Sequence, residues 1–304
     1  MTDGPVVILA GGTGGAKLAR GLLDVVGGED LVVIANTGDD IEIYGAYVSP
    51  DPDLVTFWLA DRIDARGWGL DGDTFHVMDG LRELGTDVWF NLGDRDLAIG
   101  LERARRLREG ESQTQAQQAI ASALGLRARV LPMADRPVRT RIMAEGRWWS
   151  LQEFLIHGGG EAEVQDVDFR GRGAAEPTPA VLTAIRDARA IIIGPSNPII
   201  SIGPILAVPG LSDAIETSAA PTVAVSPVVG GRIVKGPTEA FMRWRGESLD
   251  AAGVANLYAP LLDGMVADER SAPLATLEMQ TAMDSADRRR HVAEQTLTLA
   301  LGLS

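Results

Sequence analysis

The chain has 304 residues, with 42 acidic and 28 basic side chains and a formal net charge of −14. This length suits one large α/β domain or a domain with an insertion, and the negative charge argues against a nucleic-acid partner. The absence of Cys excludes disulfides, thiol nucleophiles and thiolate metal sites. No apolar run reaches the roughly 18 residues of a membrane helix, and the start of the chain lacks the basic residues of a signal peptide. We therefore expect a cytoplasmic protein with no membrane contact.

The first predicted elements are a buried strand, a glycine-rich turn and a helix. The apolar run Val6–Ala10 leads into Gly11–Gly15, and apolar residues then recur at helical spacing from Ala16 to Val26. Glycines let the backbone approach a ligand closely, and a helix N-terminus attracts phosphate. The turn has neither the P-loop nor the G-x-G-x-x-G pattern. Its flanking elements favour a phosphate site, while a tight turn that only packs a helix on the sheet is the alternative.

The second predicted strand leads into a stretch rich in aspartate. This strand, Leu31–Ala35, ends in Asn36 and not in the acidic residue that binds a dinucleotide ribose, which disfavours an NAD-dependent oxidoreductase. We predict one long loop from Asn36 to Asp53, and it carries four aspartates: Asp39, Asp40, Asp51 and Asp53. Carboxylates and substrate phosphates together suit Mg²⁺. About two of the four are expected to be ligands, while the others cap turns or face water.

The middle of the chain combines further helices with an added subdomain. We predict helices at 55–63, 75–81, 94–104 and 112–125, a short strand at 88–90, and strands at 128–133, 138–145 and 147–151. Arg95, in the second charged cluster, either binds an anion or pairs with a neighbouring aspartate. Trp148 and Trp149 either stack a flat heterocycle or divide between core and surface. We assign residues 130–175 to an inserted, β-containing subdomain that covers the acceptor site.

The second half of the chain resumes the parallel-sheet pattern. Strands are predicted at 190–193, 222–225 and 265–267, and helices at 254–262 and from Ser285 onwards. The fold class is therefore α/β, with a doubly wound, mostly parallel Rossmann-like sheet whose core comprises residues 1–129 and 176–304. The loops that follow the parallel strands should meet at one edge. Asn197, in one of these loops, either contacts a ligand or stiffens a turn.

Several motifs in order along the chain resemble those of one enzyme family. They are GGTGGAKLARGL, NTGDD, SPDPD, GDRDLA, the segment from Leu131 to Thr140, and IGPSNPIISIGPIL followed by VAVSPVVGG. This series is similar to that of the 2-phospho-L-lactate transferase family of deazaflavin coenzyme F-420 biosynthesis, which includes a phosphoenolpyruvate transferase variant. Pro52 stands where many relatives have Leu.

The resemblance implies a Mg²⁺-dependent phosphotransferase. Such an enzyme transfers a phospho-three-carbon-acid group from a guanosine diphosphate-linked donor to the deazaflavin Fo and releases GMP. The resemblance also implies a homodimer. It places the metal and the catalytic role on Asp39 and Asp53, and acceptor binding on Asp53, Arg95, Met133 and Thr140. The donor nucleotide is expected at Gly11, Gly12, Thr13, Gly14, Gly15, Lys17, Asn36, Gly194, Ser196 and Asn197.

Two questions stay open at this point. The three-carbon acid is lactate, enolpyruvate or glycerate, and no residue selects among them. The alternative function is that of a nucleotide-sugar-binding regulatory protein of the same superfamily, which has the fold and the glycine-rich start without the transferase activity.

Overall fold

Residues 4–160, 162–233, 236–270 and 274–303 are described in this computed structural model. Residues 1–3, which the signal-peptide argument included, lie outside them. The strands are β1 (Val6–Ala10), β2 (Leu31–Ala35), β3 (Ile41–Ile43), β4 (Ala46–Val48), β5 (Arg129–Pro132), β6 (Arg139–Ala144), β7 (Arg147–Ser150), β8 (Asp166–Arg170), β9 (Ala190–Ile193), β10 (Thr222–Val225), β11 (Val228–Val229), β12 (Arg232–Ile233), β13 (Gly264–Ala267) and β14 (Ala275–Glu278).

Helices cover both faces of the main sheet. They are α1 (Gly12–Val26), α2 (Pro50–Leu59), α3 (His76–Glu83), α4 (Asp94–Arg108), α5 (Gln113–Ala123), α6 (Leu151–Ile156), α7 (Pro179–Arg186), α8 (Gly203–Leu206), α9 (Leu211–Glu216), α10 (Thr238–Arg245), α11 (Ala251–Tyr258) and α12 (Ala286–Gly302). A π-helical turn spans Pro198–Ile202, and 3₁₀ turns span Arg172–Ala174 and Ala259–Leu261. No helix of the described ranges is both long and apolar enough to cross a bilayer.

Seven parallel strands form the main sheet, in the order β14-β13-β10-β9-β1-β2-β5. Alternate residues of β1 enter two separate cores: Val7 and Leu9 pack on one face, and Val6 and Ile8 on the other. Both faces of a strand are buried when helices cover both sides of a parallel sheet, so its sequence is apolar throughout. The predicted α/β class with a mostly parallel sheet is confirmed.

The strand order reverses direction between β1 and β9. From β1 the chain moves outward through β2 to β5, and from β9 it moves to the opposite edge through β10, β13 and β14. The loops after β1 and β9 therefore diverge at the carboxyl end of the sheet and leave a crevice. Doubly wound folds bind their ligands at such a switch point.

The insertion is a small antiparallel sheet, in the order β7-β6-β8, together with α6. Its buried residues Ile142, Trp149 and Phe154 join the same core as Val7 of β1, so it packs directly on the sheet. The predicted strand at 128–133 corresponds to β5, which pairs with β2 at the edge of the main sheet. The insertion therefore begins after β5 and not at residue 130.

Two further sequence predictions differ from the structure, and one strand was not predicted. The stretch 36–53 is not one loop, because it contains the β3–β4 hairpin and the first turn of α2. Residues 88–90 form no strand. Trp89 instead stacks on Phe90, with a centroid distance of 5.6 Å, and contacts the tilted ring of His157 of the insertion at 4.9 Å. Strand β14 was not predicted.

Candidate functional site

The glycine turn after β1 packs directly against the loop after β9. The Gly11 amide donates to Ser196 Oγ at 3.3 Å. A Cβ added to Gly14 would lie 2.0 Å from the carbonyl oxygen of Pro195, so only glycine allows this approach. Gly12 differs, because its surroundings are open and its φ of +61° is what favours glycine there. The two loops thus form one unit at the switch point.

The side-chain carboxylate of Asp51 lies at the N-terminus of α1. Its Oδ1 accepts a hydrogen bond from the Gly12 amide at 2.5 Å, and its Oδ2 accepts one from Asn36 Nδ2 at 2.8 Å. Asn36 Oδ1 in turn accepts from the Gly38 amide at 2.7 Å, which fixes the loop after β2. Helix N-termini attract anions, so this carboxylate sits where a phosphate would be attracted.

Asp39 is buried beside the Asp51 carboxylate, and only one of its two carboxylate oxygens accepts a hydrogen bond. Its Oδ2 accepts from Gln152 Nε2 at 3.2 Å, whereas its Oδ1 has no partner. Burial, followed by the negative charges of Asp51 and Asp40, raises the pKa of Asp39 well above its ordinary value. Burial also raises the pKa of Asp51 to about 6, although hydrogen bonds from Asn36 and Gly12 oppose the shift. The charge of Arg139 opposes the shift of Asp39 but does not cancel it, and two adjacent buried acids favour a cation.

Asp40 has a structural role instead. It accepts hydrogen bonds from Ser49 Oγ at 2.6 Å and from Gln113 Nε2 at 2.5 Å, which tie the loop after β2 to α5. Burial raises the pKa of Asp40 to about 6, and the charge of Arg139 opposes this shift. Both carboxylate oxygens are satisfied, so Asp40 is a poor candidate for a metal ligand.

The structure gives Asp53 a partner that the sequence analysis did not anticipate. Its carboxylate pairs with the fully buried guanidinium of Arg103, with contacts of 3.0 Å to Nη1 and 2.5 Å to Nη2. Arg103 also donates to Gln117 Oε1 and to the Tyr47 carbonyl. The expectation that Asp53 binds the metal and the acceptor therefore conflicts with this ion pair.

The reason for this difference is the local backbone. Alternation along an extended loop would direct Asp51 and Asp53 to the same side. They lie instead in the first turn of α2, where the side chains of residues two positions apart in the chain point about 200° apart around the helix axis. Asp51 consequently faces the glycine turn, and Asp53 faces α4.

Among the described residues, protein ligands alone do not form a cation site. Within the described ranges, no three His, Cys, Asp or Glu side chains are grouped as metal ligands. Mg²⁺, however, often takes only one or two carboxylates and completes its octahedron with phosphates and water. The unpartnered Asp39 Oδ1 and the adjacent Asp51 fit that pattern.

The three remaining acceptor candidates do not come together. Thr140 is buried, its amide donates to the Gly38 carbonyl at 2.6 Å, and it lines a groove with Asp39. Arg95 is exposed on the first turn of α4 and lines a separate groove. Met133 has no exposed surface and belongs to the core, so it cannot contact a ligand in this structure.

Two of the residues expected to bind the donor nucleotide have structural roles instead. Asn197 caps the turn that follows it, because its Oδ1 accepts from the amides of Ile199 and Ile200 at 2.9 and 3.1 Å and its Nδ2 donates to Thr238. This favours the stiffened turn over ligand contact. A Cβ on Gly194 would lie 3.0 Å from the Leu9 carbonyl oxygen, so Gly194 serves close packing.

Two further donor candidates, Thr13 and Lys17, lie on α1. Thr13 is half-buried in the first turn of α1. The Nζ atom of Lys17 lies 5.8 Å from the centroid of the Trp58 ring.

Sequence reasoning missed Gln152 and Arg103, and it did not predict that Asp51 contacts the start of α1. Each of these residues acquires its role through a partner on another element. A signal for Asp51 was nevertheless present, since Pro50 after Ser49 is typical of a helix start and would have placed Asp51 and Asp53 on different sides.

Comparisons with known proteins agree with this architecture. A family model described as 2-phospho-L-lactate transferase CofD matches residues 6–299. The 2-phospho-L-lactate transferase of Methanosarcina mazei is 40% identical over 266 residues, which is 87% of each chain. The phosphoenolpyruvate transferase of Kitasatospora aureofaciens is 37% identical over an alignment of 317 residues, covering 94% of this chain and 99% of that protein.

A solved structure shares the fold. A member of the UPF0052 family from Bacillus halodurans superposes with a TM-score of 0.64 at 17% identity, covering 96% of this chain and 99% of that one. At this identity the likeness concerns the fold alone.

Proposed function

Because the chain belongs to the 2-phospho-L-lactate transferase family, we propose that it transfers a phospho-three-carbon-acid group from a guanosine diphosphate-linked donor to the deazaflavin Fo. GMP is the leaving group. One observation carries the proposal: a carboxylate already occupies the N-terminus of α1, next to a second buried acid with an unpartnered oxygen. This arrangement suits a phosphate and a divalent cation together.

The donor diphosphate lies on the glycine turn in this proposal. The amides at the start of α1 bind its oxygens, as at other helix N-termini. Ser196 and Asn36 flank the turn and fix its shape through hydrogen bonds to Gly11 and Asp51. Asp51 gives up its bond to the Gly12 amide when phosphate takes this position, which frees a carboxylate oxygen.

Asp39 and Asp51 would hold Mg²⁺, which supplies charge neutralisation on the phosphates when bound. The hydroxyl of Fo attacks the phosphorus that carries the three-carbon acid, and the bond from that phosphorus to the oxygen of GMP breaks. The hydroxyl proton leaves to a carboxylate or to water. Positioning and charge stabilisation suffice for phosphoryl transfer, so the chain needs no covalent nucleophile.

The test is a product assay. We expect the purified protein, incubated with Fo, Mg²⁺ and each guanylated acid, to yield a phosphodiester of Fo and an equal amount of GMP, both identified by mass. The named relatives make phospholactate and phosphoenolpyruvate donors the first to try. Folded protein that gives no product with any lactate, enolpyruvate or glycerate donor would refute the proposal.

The regulatory alternative predicts a different result. A nucleotide-sugar-binding protein would bind a nucleotide sugar and leave the fluorescence of Fo unchanged. The homodimer is a proposal from the resemblance, which sedimentation equilibrium measures, and the cytoplasmic location is a proposal from the sequence features.

A further inference from the structure

Three arginines share the exposed face of the insertion sheet. Side chains alternate between the two faces along β6, so Thr140 and Ile142 are buried while Arg139 and Arg141 lie on the opposite face. Arg170 of β8 stands directly opposite Arg139 in the strand register and therefore joins this face. All three arginines line a groove of about 490 Å³ between the insertion and the loop after β2.

Two cross-strand pairs on this face differ in their charges. Arg141 stands opposite Asp168, and its Nη2 donates to Asp168 Oδ2 at 2.7 Å. Arg139 instead stands opposite a second arginine, Arg170. Like charges directly opposite each other in a sheet are destabilising. This arginine pair therefore does not serve the stability of the insertion, which points to a role in binding.

The two guanidiniums of the arginine pair are held differently. Arg139 is half-buried and donates to Tyr47 Oη at 2.7 Å. It also donates to the backbone carbonyls of Thr37 and Val138. These contacts use three of the five N–H groups of a guanidinium. The Arg170 side chain is exposed and has no hydrogen bond or ion pair with any described residue. One fixed and one unpaired cation thus face the same groove.

The arginine pair adjoins the proposed phosphate and metal site. The Thr140 amide of β6 donates to the Gly38 carbonyl at 2.6 Å, and the Gly38 amide donates to Asn36 Oδ1 at 2.7 Å. Arg139 is also close enough to Asp39 for its charge to oppose the rise in the pKa of that acid. An anionic group bound by the two arginines would therefore lie beside a phosphate on the glycine turn.

We propose that Arg139 and Arg170 bind the carboxylate of the three-carbon acid that the donor carries. This assignment rests on the proposed function, in which one oxygen and one carbon separate the phosphorus of 2-phospholactate from its carboxylate. A carboxylate is a planar anion whose two oxygens suit guanidinium donors. The chain as a whole has a net charge of −14, so a local pair of arginines is needed to attract such a group. The glycine turn, in contrast, contacts only the diphosphate.

The test compares ligands that differ in the acid. The guanylated acids carry the carboxylate and GDP lacks it, and each is titrated into the whole chain by calorimetry with Mg²⁺ present. The variant is Arg170→Gln. The matched control is Arg172→Gln, because Arg172 is exposed on the following 3₁₀ turn and is not among the residues that line the groove.

The arginine pair should affect one ligand and not the other. We expect Arg170→Gln to weaken the guanylated acid that the wild type binds most tightly by about tenfold, near the lower end for a hydrogen bond to a charged group. The affinity for GDP should stay within about twofold, since GDP has no group to contact the pair. Arg172→Gln should leave both affinities unchanged.

A donor whose carboxylate is replaced by a carboxamide tests the charge itself. The wild type should bind this donor about tenfold more weakly than the acid, and Arg170→Gln should lose most of that difference. The same variant removes the like-charge contact with Arg139, so its melting temperature should stay equal or rise. Binding is therefore measured in a folded protein.

Two results would overturn the assignment. Unchanged affinity for the guanylated acid in Arg170→Gln would show that this arginine does not bind it. An equal loss for the acid and for GDP would assign the arginine pair to the diphosphate instead. A wild-type protein that binds no guanylated acid refutes the proposed function, and the assignment then falls with it.

Discussion

Asp51 and Asp53 are two residues apart in α2, yet replacing each by Asn should produce opposite effects. Asp53→Asn leaves the fully buried guanidinium of Arg103 without its counter-ion. Removing one partner of a buried pair typically costs about 3–5 kcal/mol. The lower end applies here, because Arg103 keeps its bonds to Gln117 and to the Tyr47 carbonyl. At about 2 °C per kcal/mol for a chain of this size, we expect a drop in melting temperature of roughly 6 °C.

Asp51→Asn should have a smaller effect on stability than Asp53→Asn and a large effect on rate. The new NH2 group would face the N–H donor of Gly12 or of Asn36, which costs stability. Burial disfavours the charged carboxylate, as its raised pKa indicates, so removing the charge offsets part of that cost. The proposed metal loses a charged ligand, however. Removing one well-placed electrostatic group typically lowers turnover by about 10²–10³.

Thermal melts and steady-state rates across Mg²⁺ concentration measure the two effects separately. The double variant Asp53→Asn/Arg103→Met is the matched control, because it removes the buried charge that Asp53→Asn leaves unpaired, and it should recover part of the lost stability. If Asp53→Asn melts like the wild type while Asp51→Asn turns over normally, the division of roles between the two acids is wrong.

Three further predictions follow from the same geometry. Gly14→Ala should destabilise the protein more than Gly12→Ala, since only the former clashes with backbone; similar melting temperatures would contradict this. The apparent affinity for Mg²⁺ should rise as the pH passes about 6, the raised pKa of Asp51, and Asp51→Asn should flatten that profile. Burial, followed by the charges of two nearby aspartates, raises the pKa of Asp96 to about 7. In the folded protein Asp96 therefore keeps its proton up to about pH 7, whereas in the unfolded chain it loses the proton near pH 4. The free energy of unfolding consequently falls as the pH rises through 7. The gain in melting temperature from Asp96→Asn should grow over that range, and a constant gain would refute the assignment.

Features that depend on neighbouring residues were predictable from the sequence. The capping boxes that start α5 and α6 form with both reciprocal hydrogen bonds, at Ser112 with Gln115 and Ser150 with Glu153. The apolar runs of β1, β2, β9 and β10 are strands buried on both faces. Their signal is local, so an isolated sequence contains it.

Features that depend on distant partners were not predictable. The pairing of Asp53 with Arg103 joins residues 50 apart, and nothing near either residue specifies it. Met133 follows the edge strand β5 and enters the core because of the register with β2. Residues 88–90 have the composition of a strand, but they meet the ring of His157 and not the edge of a sheet. In each case tertiary contacts override the local preference.

The bond between Gly11 and Ser196 joins positions 185 apart in the chain, which has a consequence for biosynthesis. The glycine turn leaves the ribosome early, but the loop that supports it is synthesised only after nearly two thirds of the protein. A nascent chain or proteolytic fragment that ends before β9 contains every residue of the turn and lacks its supporting wall. Nucleotide affinity should therefore appear late and abruptly as the chain is lengthened, and it should report on the docking of the two halves of the sheet.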